Sequence, residues 1–205
     1  MSNSQIKSHL ELAIKSNSHF SQAYYELAKI FLQEQNIKSA IKLLKNAINS
    51  GLEKSSLSEK RGKTLLNKQQ FPQAKRYMFK MGLSKYNTSI YLSELAQIYL
   101  DSSDFKNAEK YALHSLDEYG NQPRAMYILG CIHAANKKWV KATEWLMKSL
   151  DLDYKNARTH LSLAQVKQKQ KKTIDAIHHY LIAKDLDKGI SSKSLDKILE
   201  KHPEL

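Results

Sequence analysis

Residues 126–152 read MYILGCIHAANKKWVKATEWLMKSLDL. Apolar residues recur three and four apart on both sides of a polar break at Asn136, Lys137 and Lys138. Residues at that spacing share one face of a helix, so the stretch predicts two helices joined by a turn. A step of 34 residues from Leu129-Gly130 meets the same pattern in both directions without an insertion. The chain then divides into five blocks, 21–54, 55–88, 89–122, 123–156 and 157–190. Their seventh and eighth residues are Leu27-Ala28, Arg61-Gly62, Leu95-Ala96, Leu129-Gly130 and Leu163-Ala164. Their twentieth is Ala40, Ala74, Ala108, Ala142 and Ala176, alanine each time.

Small residues at positions 8 and 20 of a block let two helices approach closely, at interaxial distances of about 8–10 Å. Position 27 is Ala47, Met81, Ser115, Ser149 and Ala183, mostly small, and is expected to let a second helix meet the first helix of the next block. A lone helix pair cannot bury both of its apolar faces, so stacked pairs are what make a core. Valine occurs only at Val140 and Val166, and no polar–apolar alternation bounded by glycine turns is present, which argues for an all-α protein.

These residues resemble the tetratricopeptide repeat family, whose pattern is W-x2-L-G-x2-Y followed by A-x3-F. Block 89–122 meets it best, with Leu92, Leu95, Ala96, Tyr99 and Ala108. Block 123–156 follows with Leu129, Gly130, Ala142 and Leu146, and block 21–54 with Tyr24, Leu27, Ala28, Phe31, Ala40, Leu44 and Ala47. The resemblance covers 21–190 and implies a right-handed superhelical solenoid of antiparallel helix pairs. Two departures stand out. The family often has proline at position 32, where this chain has Leu52, Tyr86, Gly120, Tyr154 and Lys188. Block 55–88 has Arg61 in place of leucine and a polar start, so its first helix is expected to be frayed, whereas Pro72 suits the opening of its second.

The ends differ from the array. Residues 1–20 read as an N-terminal helix, either a half repeat belonging to a longer array or a cap, with Ile6, Leu10 and Ala13 falling at positions 20, 24 and 27. Residues 191–205 read as a C-terminal capping helix, with Leu195, Ile198 and Leu199 on one face and charged residues behind them.

The chain has 205 residues, 41% of them hydrophobic, six glycines and three prolines, a composition above that of disordered chains. No apolar run approaches the roughly 20 residues that span a bilayer, and the first residues lack a signal peptide's apolar core. The single Cys131 cannot form an internal disulfide, and a cytoplasmic location is expected. The net charge is +13, yet only Arg61, Arg76, Arg124 and Arg158 of the 33 basic residues are arginine. Nucleic-acid readers lean on the arginine fork. The lysines read either as solvated helix faces or as a surface that attracts an acidic partner.

No constellation predicts catalysis, a cofactor or a metal. The adjacent His178 and His179 point about 100° apart on a helix, and no Cys/His set has zinc spacing. His133 and His160 stand where the family packs aromatics, and the bland reading is a buried ring with a hydrogen-bond partner. Cys131 has His133 two residues away on another face, so it lacks the base a nucleophile needs. There is no glycine-rich phosphate loop.

What the resemblance implies instead is a concave groove along the first helices, at block positions 2, 5, 6, 9, 12 and 13. The groove residues expected to carry partner binding are Tyr25, Lys29, Arg124, Tyr127, Ile128, Arg158 and Leu161. Tyr and Arg dominate binding energies at interfaces. Glu59, Lys60 and Lys63 fall on the same face of the second block, Glu94 and Gln97 of the third, and Cys131, Ser162 and Gln165 of the last two. The Lys/Asn/Arg set by which some family members clamp a terminal carboxylate is matched by no three consecutive blocks. The expected function is a protein–protein interaction scaffold that takes a partner peptide or helix. The alternatives are a basic repeat associating with nucleic acid or an acidic partner surface, and a homo-oligomeric module built through residues Ile6, Leu10 and Ile14. A protein partner, an acidic one included, is expected before nucleic acid, and no membrane insertion is expected.

Overall fold

The computed structural model describes residues 3–67 and 71–201, with side chains over 4–56 and 83–201. All regular structure among these residues is helical. The helices are α1 (Asn3–Ser16), α2 (Ser21–Gln33), α3 (Ile37–Asn67), α4 (Phe71–Asp101) and α5 (Phe105–Glu118), then α6 (Pro123–Ala135), α7 (Trp139–Leu152), α8 (Ala157–Lys169), α9 (Thr173–Leu186) and α10 (Lys193–Glu200). They form two compact units, the first made of Met1–Ile98 and His114–Gly120, the second of Tyr99–Leu113 and Asn121–Leu205.

The period is written most clearly in the turns inside the blocks. Gln35, Ser103, Lys137 and Lys171 all have left-handed backbone, with φ of 60°, 59°, 57° and 61°. Each ends a helix in the same way. The next amide bonds back to a carbonyl five residues earlier: Asn36 to Phe31, Asp104 to Tyr99, Lys138 to His133 and Lys172 to Lys167, at 2.8–3.0 Å. The left-handed residue's own amide bonds three residues back, Lys137 to Ala134 and Lys171 to Gln168. This is the Schellman arrangement, which satisfies carbonyls that a helix end leaves open. The following helix then starts on a cap in two places: Asn36 Oδ1 accepts from the Ser39 amide at 3.2 Å, and Asp104 Oδ1 from the Asn107 amide at 3.1 Å. The corresponding position of block 55–88 is residue 69, which lies outside the described residues.

The turns between blocks do not all recur. Breaks are expected near 52–56 and 86–88, but α3 and α4 run straight through both, each 31 residues long. The second helix of block 21–54 is thus continuous with the expected first helix of block 55–88, and the second helix of that block with the first of block 89–122. Where breaks do occur, Gly120 precedes α6 and Pro123 opens it, and Asn156 caps α8, its side chain accepting from the Thr159 amide. Neither junction has a proline to bar the helix. Gly51 sits inside α3, and its use there is close approach. A Cβ on Gly51 would lie 2.2 Å from Thr88 Oγ1, and Ser84 Oγ donates to the Gly51 carbonyl at 2.8 Å. Ser84 and Thr88 are four apart on α4, so α4 lays one small polar face directly on the α3 backbone.

In the first unit, α2 packs on α3 with Leu27, Ala28, Ala40, Leu44 and Ala47 buried. The helix α1 packs on α2 and leaves Ile6, Leu10 and Ile14 half-buried. In the second unit, α6 to α9 stack in order. Leu146, Leu150, Leu163 and Val166 form one core cluster with Ala142. Gly130 admits Leu146, whose Cγ would stand 2.6 Å from an added Cβ. A second cluster of Ala164, Ala176, Tyr180 and Leu195 buries the face of α10. There Tyr180 donates to Asp196 at 2.6 Å and accepts from the Ser192 amide, which fixes the entry into α10. At position 27 two blocks add a hydrogen bond to the small size expected there. Ser149 Oγ donates to the Pro123 carbonyl and Ser115 Oγ to the Ser89 carbonyl, at 2.9 and 2.8 Å. The small residue therefore ties the second helix to the start of its own block. The side chains of Arg61, Ala74 and Met81, and residues 202–205 of the expected cap, lie outside the described residues.

Candidate partner-binding faces

The seven expected groove residues divide between the units, Tyr25 and Lys29 in the first and the other five in the second. On α2 of the first unit, Tyr25 is half-buried, its ring centroid 4.7 Å from that of Tyr91 and its hydroxyl 3.5 Å from Glu94 Oε1. Lys29 is exposed, bonds to Glu26 at 2.9 Å and lies 5.4 Å from the Tyr25 ring centroid. Tyr91 is buried and donates to Gln22 Oε1 at 3.0 Å, and burial pushes its phenol up. The result is a built face of rings and amides that Tyr25 tops.

In the second unit, Tyr127 and Cys131 are one helical turn apart on α6, facing Ser162 of α8. Cys131 Sγ stands 3.9 Å from Ser162 Oγ, with the Tyr127 hydroxyl close enough to both to interact with them electrostatically. Burial pushes the Tyr127 phenol well above its ordinary value, with the Cys131 thiol adding to the rise and Arg158 opposing it. Burial likewise pushes the Cys131 thiol up. A thiol held protonated is a hydrogen-bonding group and not a ready nucleophile. Arg158 and Arg124 are exposed at the start of α8 and α6.

Two expected residues are placed otherwise. Ile128 is 0% exposed and belongs to the core, so it cannot touch a partner. One residue past Tyr127, it turns by about 100° away from the face that Tyr127 presents. Leu161 is half-buried against Ala164, Ala176, Tyr180 and Leu195, where it serves the packing of the last helices.

Next to the Cys131–Ser162 pair opens a cavity of about 390 Å³. Ala134, Val166 and Trp139 give its apolar wall, and Gln165, Gln168, Lys169 and Ser194 its polar side. Its volume lies within the range of ligand pockets, about 300–1,000 Å³. Gln165 was expected on this face. Trp139, at the start of a second helix, and Ser194, on the end helix, were not. The signal for Trp139 was the large apolar residue that stands at position 17 in four of the five blocks.

Outside this face, His160 is 0% exposed and bonds through Nε2 to the Tyr154 carbonyl at 2.9 Å and through Nδ1 to His179 Nδ1 at 3.1 Å. Among the described residues no group of three His, Cys, Asp or Glu could hold a metal ion, and no helix is long and apolar enough to cross a membrane.

Residues 21–50 match the family profile described as Tetratricopeptide repeat. No curated protein matches the sequence. Among solved structures, MamA aligns at 12% identity and a TM-score of 0.57 over 89% of this chain and 86% of that one. PilF of Pseudomonas aeruginosa aligns at 19% identity and 0.50, over 97% and 89%. A chain of the Cut9–Hcn1 hetero-tetramer of the APC/C aligns at 18% and 0.52, over 97% of this chain and 39% of that one. At such identities the likeness is one of fold, and the fold is an all-α helical-repeat solenoid.

Proposed function

We propose that this tetratricopeptide-repeat protein is a protein–protein interaction scaffold, and that the inner faces of its first helices hold an extended or helical segment of a partner. The observation that carries the reading is the second unit's α6–α8 face. A half-buried cluster of Tyr127, Cys131 and Ser162 stands there beside the exposed Arg158 and opens into the 390 Å³ cavity. Rigid aromatic and arginine anchors next to a concavity are what interface hot spots use. Nothing in the cluster is poised for chemistry. Both titratable members are held in their neutral forms by burial, which suits recognition through hydrogen bonds.

The test is selection from a displayed peptide library against the full chain, followed by affinity measurement of the winners with Tyr127→Ala/Arg158→Ala. Losing a hot-spot tyrosine and its arginine neighbour should weaken binding by about tenfold or more. Unchanged binding by the double variant would remove the site from the α6–α8 face. The first-unit face is tested in the same way with Tyr25→Ala.

A further inference from the structure

The cavity lies at the foot of a basic edge. The turn after α6 exposes Lys137 and Lys138, with Lys141 following on α7, and the end of α8 and the turn after it expose Lys169, Lys171 and Lys172. The two turns are neighbours, because the Gln170 amide donates across to Thr143 Oγ1 at 3.3 Å and Trp139 and Lys169 line the same cavity. Both are closed Schellman turns, so their lysines stand on fixed backbone. Of the acids close to this edge, Asp175 of α9 is engaged by Lys167 at 3.0 Å, and Glu144 follows Lys141 by three residues on α7. None of the nine residues lining the cavity is acidic, and Lys169 belongs to both the lining and the edge.

From this juxtaposition we propose that the second unit binds an acidic linear peptide, whose apolar anchor side chain fills the cavity and whose carboxylates lie along the lysine edge. The proposal rests on the groove reading above and names the chemistry of its partner. The apolar wall of Ala134, Val166 and Trp139 accepts the anchor. The exposed Gln165 amide, both donor and acceptor, faces the peptide backbone, while Gln168 is held by Ser194, donating to its carbonyl at 3.4 Å and accepting from its hydroxyl at 3.3 Å. The six lysines supply complementary charge. Lysine is a point charge that tolerates carboxylates in varied geometry, whereas the bidentate arginine fork that nucleic-acid readers favour is absent from this edge. Single-stranded nucleic acid also wants aromatic platforms for its bases. Trp139, the ring beside these lysines, is half-buried as cavity wall.

The experiment uses the full chain and fluorescein-labelled peptides of equal length, read by anisotropy. One peptide carries a single phenylalanine followed by a run of Asp and Glu. In two controls the phenylalanine becomes serine, or the acids become serine. A single-stranded RNA of similar charge completes the set. The full peptide should bind about tenfold or more tighter than either control, and its affinity should fall between about 50 and about 300 mM salt as the edge is screened. Lys169→Glu/Lys171→Glu/Lys172→Glu should erase the preference for acids. Ser194→Trp, at an exposed position, should fill the cavity and erase the preference for phenylalanine, with the helical circular dichroism of both variants unchanged. Equal binding of the serine control, tighter binding of RNA, indifference to charge reversal, or no binding by any probe would each overturn the proposal. Should library peptides still depend on Tyr127 and Arg158 while ignoring these two variants, only the acidic-anchor assignment fails. Should they ignore Tyr127 and Arg158 as well, the groove reading falls with it.

Discussion

The histidine pair between α8 and α9 makes the stability of the last block depend on pH, and the sign follows from its hydrogen bonds. His160 Nε2 faces the Tyr154 carbonyl at 2.9 Å, and a carbonyl only accepts, so Nε2 carries the proton. His160 Nδ1 is then the acceptor, and His179 Nδ1, 3.1 Å away, donates to it. Both rings are neutral in this arrangement. A further proton on His160 Nδ1 would set one N–H against another. Burial is the main cause that drives the His179 imidazole down to about 4 from 6.5, with His160, His178 and Lys167 pushing the same way and Asp175 opposing. His160 is also lowered, chiefly by burial, against the pull of the Tyr154 carbonyl.

A folded pKa below the unfolded one means that the unfolded chain binds more protons under acid. The stabilisation is therefore complete above about 6.5 and is lost as the pH falls from there toward about 4. For His179 alone the loss between neutrality and pH ~5 is about 2 kcal/mol, roughly a thirtyfold change in the folded ratio. Urea melts followed by helical circular dichroism at the two pH values measure it, and amide exchange over α9 locates it, since a repeat contacts only its neighbours. His179→Asn places an amide donor near Nδ1 without a titrating group, so its melts should lose less on acidification. Wild-type stability that is flat over this range, or a variant that falls just as far, would refute the tautomer assignment.

Two further substitutions probe the backbone. Gly51→Ala should cost about 1–3 kcal/mol by driving a methyl against Thr88 Oγ1, 2.2 Å away, as overpacking does. In a Thr88→Ala background that clash is gone, along with a buried hydroxyl that has no partner, and the same change should become neutral or stabilising through alanine's better helix propensity of about 1 kcal/mol. A double-mutant cycle by thermal melts reads the sign change, and additivity of the two substitutions would refute the packing account. Lys171→Gly removes a side chain from left-handed backbone at φ 61° and should raise stability by up to about 1 kcal/mol, net of glycine's entropy in the unfolded chain. A lower melting temperature would show that the turn holds no such strain.

The 34-residue period was legible because it is carried by residues whose size is constrained. Ala40, Ala108, Ala142 and Ala176 are each 0% exposed, where the close approach of packed helices favours a small side chain. Ile128 was not placed correctly, because one step along a helix separates a groove residue from a core residue and a repeat pattern blurs that step. The continuity of α3 and α4 was hidden for a related reason. The sequence at 51–56 and 84–88 is rich in Gly, Ser, Asn and Thr, which mark loops when water is the alternative partner. Here Gly51, Ser84 and Thr88 are buried, and they serve the contact of two long helices.

That contrast locates where the repeat is specified. The left-handed turns inside the blocks at 35, 103, 137 and 171 keep step with one another although none uses glycine. Two of the junctions between blocks disappear into continuous helix. A turn closed by two backbone bonds and tightened by packing on either side can hold lysine at positive φ, at a cost of about 1 kcal/mol per turn. A junction that lacks proline has no comparable stop, and helix continues wherever the apolar face still finds a surface to cover. The same turns that keep the period therefore fix the backbone of Lys137 and Lys171, each two residues from a side chain that lines the cavity, Trp139 and Lys169. Their backbone is set by the fold, while their charge is set independently of it. Replacing those lysines with asparagine, which tolerates left-handed backbone, should leave the melting temperature unchanged or slightly raised and yet weaken the acidic-peptide preference. A change in stability larger than the change in binding would show that the two roles are not separable.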